Sequence, residues 1–188
     1  YIDDYYGVNI VSGTGNGDDD NGHGTHVAGI IAARNNNLGT AGIAYNVQIM
    51  PVKAAMASGY LHQSDIAKAV LYAYENGAEV INMSFGGSFI SIAVEEALEN
   101  AYNSCVLVAA AGNDGACNNL ACPTCDIVKV SYPAALPYVI GVMSTNADGS
   151  AVSSFSNYDH NPYNSIEYEV FAVGEQVFST WPGNKYAM

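Results

Sequence analysis

Positive charge is what this sequence has least of. Five Lys and Arg stand against 18 Asp and Glu in 188 residues, a net charge of −13. A chain so poor in cations lacks the basic face that a phosphate backbone requires, so nucleic acid is excluded as a partner. Long apolar runs are also missing. The longest, such as Val106 to Ala111, fall far short of the roughly 18 residues that suggest a membrane span, so no span is expected. They end in Gly or Asn and read as buried strands. There is no internal repeat and no low-complexity linker. Charged residues of both signs make up only 12% and hydrophobic residues 49%, which excludes a disordered chain and fits a globular interior. A chain of this length can bury a real core and counts as one domain. The acidic excess favours solubility and loose association with cations, calcium among them.

Cysteine is sparse but clustered. Three of the four, Cys117, Cys122 and Cys125, fall within nine residues, and Cys105 stands apart. A zinc site wants two such pairs or nearby His ligands, and neither is present. A local disulfide across a surface loop, Cys117 to Cys122 or Cys125, fits better, and a disulfide suits a secreted protein. Cys105 opens an apolar strand and reads as a small buried residue. No signal peptide is visible. The chain begins at Tyr1 and ends at Lys185-Tyr186-Ala187-Met188, and both ends read as cuts through a larger domain.

Strand-like and helix-like segments alternate. Strands are expected at residues 8–11, 47–52, 80–83, 105–110, 139–142 and 177–180. Helices are expected from about His23 to Ala33, from Ser64 to Asn76 with Gly77 as the stop, and from Ile92 to Tyr102. The stretches 13–22 and 35–42 read as loops. Such alternation implies a mainly parallel sheet covered by helices on both faces, with any site at the carboxyl ends of the strands. The run 105–110 is continuously apolar and is expected to be buried on both faces.

Three segments carry chemistry. In Asp20-Asn21-Gly22-His23-Gly24-Thr25-His26, flanking glycines let the backbone turn sharply beside His23. A place at a helix N-terminus would keep its imidazole neutral, as a general base requires. A surface histidine or a His23/His26 metal pair are the alternatives. In Ala110-Ala111-Gly112-Asn113-Asp114-Gly115 a buried strand delivers Asn113, whose amide can donate to a developing oxyanion. Taken alone, Asn-Asp-Gly is better explained as ordinary turn chemistry. In Asn82-Met83-Ser84-Phe85-Gly86-Gly87 a strand empties into Gly-rich backbone able to pair with an extended peptide. Asn82-Met83-Ser84 is also a glycosylation sequon, but a buried strand end is a poor acceptor. All three segments are expected to end strands on one side of one sheet.

Taken together and in this order, His23-Gly24-Thr25-His26-Val27-Ala28-Gly29, Asn82-Met83-Ser84-Phe85-Gly86-Gly87 and Ala110-Ala111-Gly112-Asn113 resemble the signature segments of the subtilisin-like serine proteases. Tyr132-Pro133-Ala134, Val139-Ile140-Gly141-Val142, Ser154-Phe155-Ser156-Asn157 and Ser179-Thr180-Trp181-Pro182-Gly183 resemble later strands and turns of that family, so the likeness covers nearly the whole chain. It implies a three-layer α/β/α fold with a mainly parallel central sheet, residues 1–188 being part of one peptidase domain. The implied activity is endopeptidase action through an acyl-enzyme, with no cofactor for the chemistry, an extended polypeptide as substrate, a monomeric state and an extracellular location.

The resemblance also implies roles. His23 would be general base and then general acid, and Asn113 the oxyanion donor. Ser58-Gly59-Tyr60 and Ser84-Phe85-Gly86 would flank the bound peptide, and Ala110-Ala111-Gly112 would wall the primary pocket. His26 would be structural. Arg34-Asn35-Asn36-Asn37-Leu38-Gly39-Thr40 resembles a calcium loop, with the Asn36 side chain and the carbonyls of Arg34, Leu38 and Thr40 as ligands. Two departures stand out. The family's Asp-Thr-Gly or Asp-Ser-Gly turn does not occur, and Asp3-Asp4, followed by Tyr5-Tyr6-Gly7, does not replace it. The family's Gly-Thr-Ser-Met-Ala is also absent, and Pro182 to Met188 stops just short of it. The chain alone is therefore expected to be inactive, and to expose apolar surface where the serine helix would lie. A non-catalytic, peptide-binding relative is the alternative function.

Overall fold

The computed structural model describes residues 7–117, 129–159 and 168–188, in two compact units. The expected disulfide partners Cys122 and Cys125, and Asp3 and Asp4, lie outside the described residues.

The first unit joins residues 1–78 to residues 178–188. Strand β1 (Val8–Asn9) pairs in parallel with β2 (Val52–Lys53). Helix α1 (His23–Ala32) lies between them in sequence, and α2 (Gln63–Glu75) follows β2. The apolar positions of α2 recur at helical spacing, so Ile66, Ala67, Val70 and Ala73 are buried. It stops as expected at Gly77, which takes φ +85°. The expected strand over 47–52 is corrected. The Val47 amide donates to the Ala44 carbonyl (3.0 Å), which closes a turn there; Ile49 makes only an isolated bridge, and the ladder with β1 begins at Val52.

The unit is completed by a hairpin, β7 (Ser179–Trp181) against β8 (Lys185–Ala187). The strand expected over 177–180 is thus shifted toward the turn, and β8 was not anticipated. The hairpin packs on α1. Ser179 Oγ donates to the His26 carbonyl (2.7 Å) and Thr180 Oγ1 to the Thr25 carbonyl (2.9 Å). Gly29 permits this approach, since a Cβ there would collide with both side chains.

The second unit spans residues 79–177. Its four-stranded sheet is parallel throughout, in the order β3 (Val80–Met83), β4 (Val106–Ala110), β5 (Ile140–Thr145), β6 (Val170–Val173). Helix α3 (Ile92–Tyr102) crosses from β3 to β4 and begins at Ser91, whose Oγ accepts from the Val94 amide (3.3 Å). Its apolar stripe, Val94, Ala97, Leu98 and Ala101, is buried. One sheet face carries Ile81, Met83, Leu107 and Ala109, all buried. The other carries Val80 and Val106, which register opposite each other, and Ile140.

Burial of β4 on both faces is corrected on that second side. Val106 is 49% exposed and Val80 59%, because side chains alternate along the strand and α3 meets β4 over one face only. Cys105 is buried as expected, just ahead of β4. Asn82, expected to be shielded, is exposed because it shares the open face, and its Nδ2 donates to Ser84 Oγ (2.9 Å). No helix of the described residues is long and apolar enough to cross a membrane.

Candidate active site

The expectation that all three segments end strands of one sheet is corrected. His23 ends no strand, and the strand before it, β1, pairs with β2 and not in the sheet of β3 and β4. His23 opens α1 after a loop, while the other two segments end the adjacent strands β3 and β4. A loop suffices there because the helix terminus itself fixes the histidine's position.

What holds that terminus is Asp19. Its Oδ1 accepts from the amides of Asn21 (2.9 Å) and Gly22 (2.8 Å). Its Oδ2 accepts from the amide (2.8 Å) and hydroxyl (2.7 Å) of Thr25. One carboxylate thereby closes the loop and satisfies an otherwise orphaned N–H of the first turn, with its negative charge at the positive end of the helix. Burial works against the charged form, but the hydrogen bonds from Gly22, Thr25 and Asn21 prevail and hold the carboxyl at about 2 instead of 3.8. Sequence reasoning did not single out Asp19. An acidic residue a few positions ahead of a helix start was the available signal, diluted by Asp18 and Asp20 on either side.

Gly22 sits at φ +104°, and a Cβ on it would run into the Trp181 ring. His23 is left exposed at the head of the helix. His26, one turn on, faces the hairpin. Its Nε2 lies 3.3 Å from the Ala187 carbonyl, and its ring meets Trp181 edge-on at 6.3 Å. Among the described residues no group of three His, Cys, Asp or Glu could hold a metal ion.

Asn21, beside His23, reaches Ala57, its Nδ2 donating to the Ala57 carbonyl (3.0 Å). That ties the histidine loop to the segment Ser58-Gly59-Tyr60. There the Gly59 amide donates to the Met56 carbonyl (2.8 Å) and the Met56 amide to the Tyr60 carbonyl (2.9 Å). All three residues of the segment are exposed. Asp20 pairs with Lys53 on β2.

In the same unit, Arg34 to Ala41 line a concavity of about 200 Å³. Asn36 Oδ1 accepts from the Leu38 amide (3.1 Å), and Asn37 and Gly39 take φ +64° and +60°, so the chain curls tightly. The candidate donors Arg34, Asn36, Leu38 and Thr40 all lie on this lining, which carries no carboxylate. Neutral carbonyl and carboxamide oxygens are donors suited to a hard cation such as calcium.

In the second unit, Ser84-Phe85-Gly86 leaves β3 and runs to Gly87, which exchanges backbone hydrogen bonds with Tyr132 (2.9 and 2.8 Å). Ala110-Ala111-Gly112 leaves β4, and Asn113 is exposed beyond it. The two segments converge on Ser131, which sequence reasoning did not pick out. A Cβ on either Gly86 or Gly112 would press on the Ser131 hydroxyl. Ser131 is buried, and its amide donates to the hydroxyl of buried Tyr168 (3.1 Å).

Comparison with known proteins identifies the family. The model of the subtilase family, Peptidase_S8, matches residues 3–188. Subtilisin DY of Bacillus licheniformis is 39% identical over 96% of this chain and 61% of its own length. Alkaline elastase YaB of Bacillus sp. (strain YaB) is 40% identical over 96% of this chain and 43% of its own length. The solved structure of a cold adapted subtilisin-like serine proteinase superposes with a TM-score of 0.76 at 31% identity, covering 97% of this chain and 60% of that one. The chain therefore spans less than two thirds of these relatives. The fold is the three-layer α/β/α arrangement with a mainly parallel sheet, and the chain belongs to the subtilase family of serine proteases.

Proposed function

We propose that the intact protein is an extracellular serine endopeptidase that cleaves extended polypeptides through an acyl-enzyme. The observation that carries this reading is the placement of His23. It stands exposed on the first turn of α1, in the family's motif, between Asn21 and Gly22 on one side and Thr25 on the other, which make the four hydrogen bonds to Asp19. A histidine so placed is open to a substrate and to a neighbouring hydroxyl. It takes the proton of a serine hydroxyl as that oxygen attacks the peptide carbonyl, then returns it to the leaving amine. Asn113 donates to the oxyanion. Gly86 and Gly59 offer backbone to the substrate strand, and Ala110, Ala111 and Gly112 bound the primary pocket.

The nucleophilic serine and the carboxylate that orients His23 belong to the intact protein and not to these 188 residues, which by themselves are inactive. The test is hydrolysis of a chromogenic peptide by the full-length protein, with covalent labelling by a sulfonyl fluoride. His23→Ala lowers kcat by about a million-fold. A full-length protein that binds peptide but neither cleaves it nor takes the label would instead be the non-catalytic, peptide-binding relative.

The loop Arg34 to Thr40 is proposed to hold calcium through the Asn36 side chain and the carbonyls of Arg34, Leu38 and Thr40. Its contribution would be to stability, by pinning the segment that leaves α1. Chelation should lower the melting temperature of the intact protein, and calcium should restore it. A melt indifferent to both would refute the site.

A further inference from the structure

Asn157 has no part in the reading so far, yet it is fully buried and hydrogen-bonded on every side. Its Oδ1 accepts from the amides of Asp114 (2.9 Å) and Ala116 (3.1 Å). Its Nδ2 donates to the Ala111 carbonyl (3.0 Å) and to Asp114 Oδ2 (3.4 Å). Its own amide donates to the Gly112 carbonyl (2.9 Å), and the next amide, of Tyr158, to the Ala116 carbonyl (3.0 Å). These bonds fall on both sides of Asn113, at Ala111 and Gly112 before it and at Asp114 and Ala116 after it. Gly112 takes φ +110°, and a Cβ there would strike Asn157 Nδ2, so the turn is moulded around this one side chain.

We propose that Asn157 is the positioning residue for the oxyanion donor. It clamps the turn so that the exposed Asn113 amide is aimed before substrate arrives, although Asn157 itself meets no reacting atom. An asparagine suits the task because the turn presents both N–H groups and a carbonyl to it, and a carboxamide answers both from one short planar group. Pre-aimed donors need no reorganisation as charge develops on the substrate oxygen, and misplacement by about 1 Å can cost on the order of a hundred-fold in rate.

This inference rests on the oxyanion reading of Asn113, and its test separates the two. In the full-length protease, kcat is measured per titrated active site, with KM, for the parent, Asn113→Ala, Asn157→Ala and the double variant. Asn113→Ala should lower kcat by about a hundred- to a thousand-fold. Asn157→Ala should lower kcat by about ten- to a hundred-fold, with a smaller rise in KM because the Ala111 wall of the primary pocket also loses its bond to Asn157. The double variant should be no slower than Asn113→Ala alone, since aiming a donor that is gone has no effect.

Losses that multiply in the double variant, or an unchanged kcat in Asn157→Ala, would overturn the positioning role. An unchanged kcat in Asn113→Ala would overturn the oxyanion reading itself. If Asn157→Ala yields no titratable sites, Asn157→Asp keeps both accepted bonds and is put to the same additivity criterion.

Discussion

His23 and Asn113 are presented in parallel ways by differently built surroundings. Each directly follows a glycine in the left-handed region, Gly22 at φ +104° and Gly112 at φ +110°. Each glycine is also closed to a Cβ, by the Trp181 ring in one case and by the Asn157 amide in the other. The difference lies in the anchor. The histidine turn is held from within, by Asp19 four residues upstream, with bonds that span two to six residues. The asparagine turn is held from afar, by a buried neutral amide more than forty residues downstream. The first anchor is charged and half-buried, so it depends on pH. The second is neutral and fully buried, so it depends on packing.

Breaking either glycine should have the largest effect on stability. In Gly22→Ala and Gly112→Ala the new methyl group meets both a disfavoured φ and an occupied space. Each of those costs about 1–3 kcal/mol, and together about 3 kcal/mol or more. Thermal melts of the intact protein check this. A loss below about 1 kcal/mol at either position would mean that the turn relaxes and that the glycine is not required.

Exchanging the anchors should sharpen the contrast. Asn157→Ala strands the buried Ala116 amide and Ala111 carbonyl and the part-buried Asp114 amide, for about 3 kcal/mol. Asp19→Ala removes four accepted bonds from a half-exposed carboxylate, and the cost should be nearer to the ~1–2 kcal/mol of a lost helix cap. Denaturant melts should rank the two in that order, and the reverse order would undo the distinction between a packed anchor and a charged one.

The same distinction governs what could be read ahead of the structure. Helix α3 and strand β3 were legible to the residue because their patterns are local: an apolar stripe at helical spacing after Ser91, and a short apolar run into Gly-rich backbone. The motif around His23 was legible for the same reason. Strand β2 was misplaced because Val47-Gln48-Ile49-Met50-Pro51-Val52 is apolar enough for a strand throughout, and only the register with the distant β1 shows where the ladder starts. Strand β8 was missed although Gly183-Asn184 is a hairpin turn signal, both residues taking positive φ. Asn157 and Ser131 could not have been found. Asn157 ends the family-like segment Ser154-Phe155-Ser156-Asn157 and Ser131 precedes Tyr132-Pro133-Ala134, but that likeness assigns them no role, and their partners are brought to them by the sheet.

Acid should separate the two anchors next. Asp19 has its carboxyl held down at about 2, so it stabilises the fold fully above its unfolded value near 4 and loses that contribution as pH falls from about 4 to about 2. Taken at face value the shift corresponds to about 2.5 kcal/mol, but screening around a half-exposed carboxylate brings this nearer to ~1 kcal/mol. Asp19→Asn should remove this part of the pH dependence, and Asn157→Ala should leave it intact. Parallel acid titrations for the parent and Asp19→Asn would show that the cap carries no proton linkage.

The smallest effect is expected where the asparagine turn does carry charge. Asp114 accepts from Lys129 Nζ (2.7 Å), and this hydrogen bond, more than the Asn157 amide, keeps its carboxyl below the ordinary range against a slight opposing effect of burial. Both side chains are about two-fifths exposed, so the pair is screened, and Lys129→Ala should cost only about 0.2–1 kcal/mol. It should also weaken with added salt. If the turn is clamped by Asn157 as argued, Lys129→Ala changes neither kcat nor its salt dependence, because the bonds bracketing Asn113 are untouched. A fall in kcat of ten-fold or more would move the anchor of the asparagine turn from the buried amide to the surface pair, and the contrast with Asp19 would disappear.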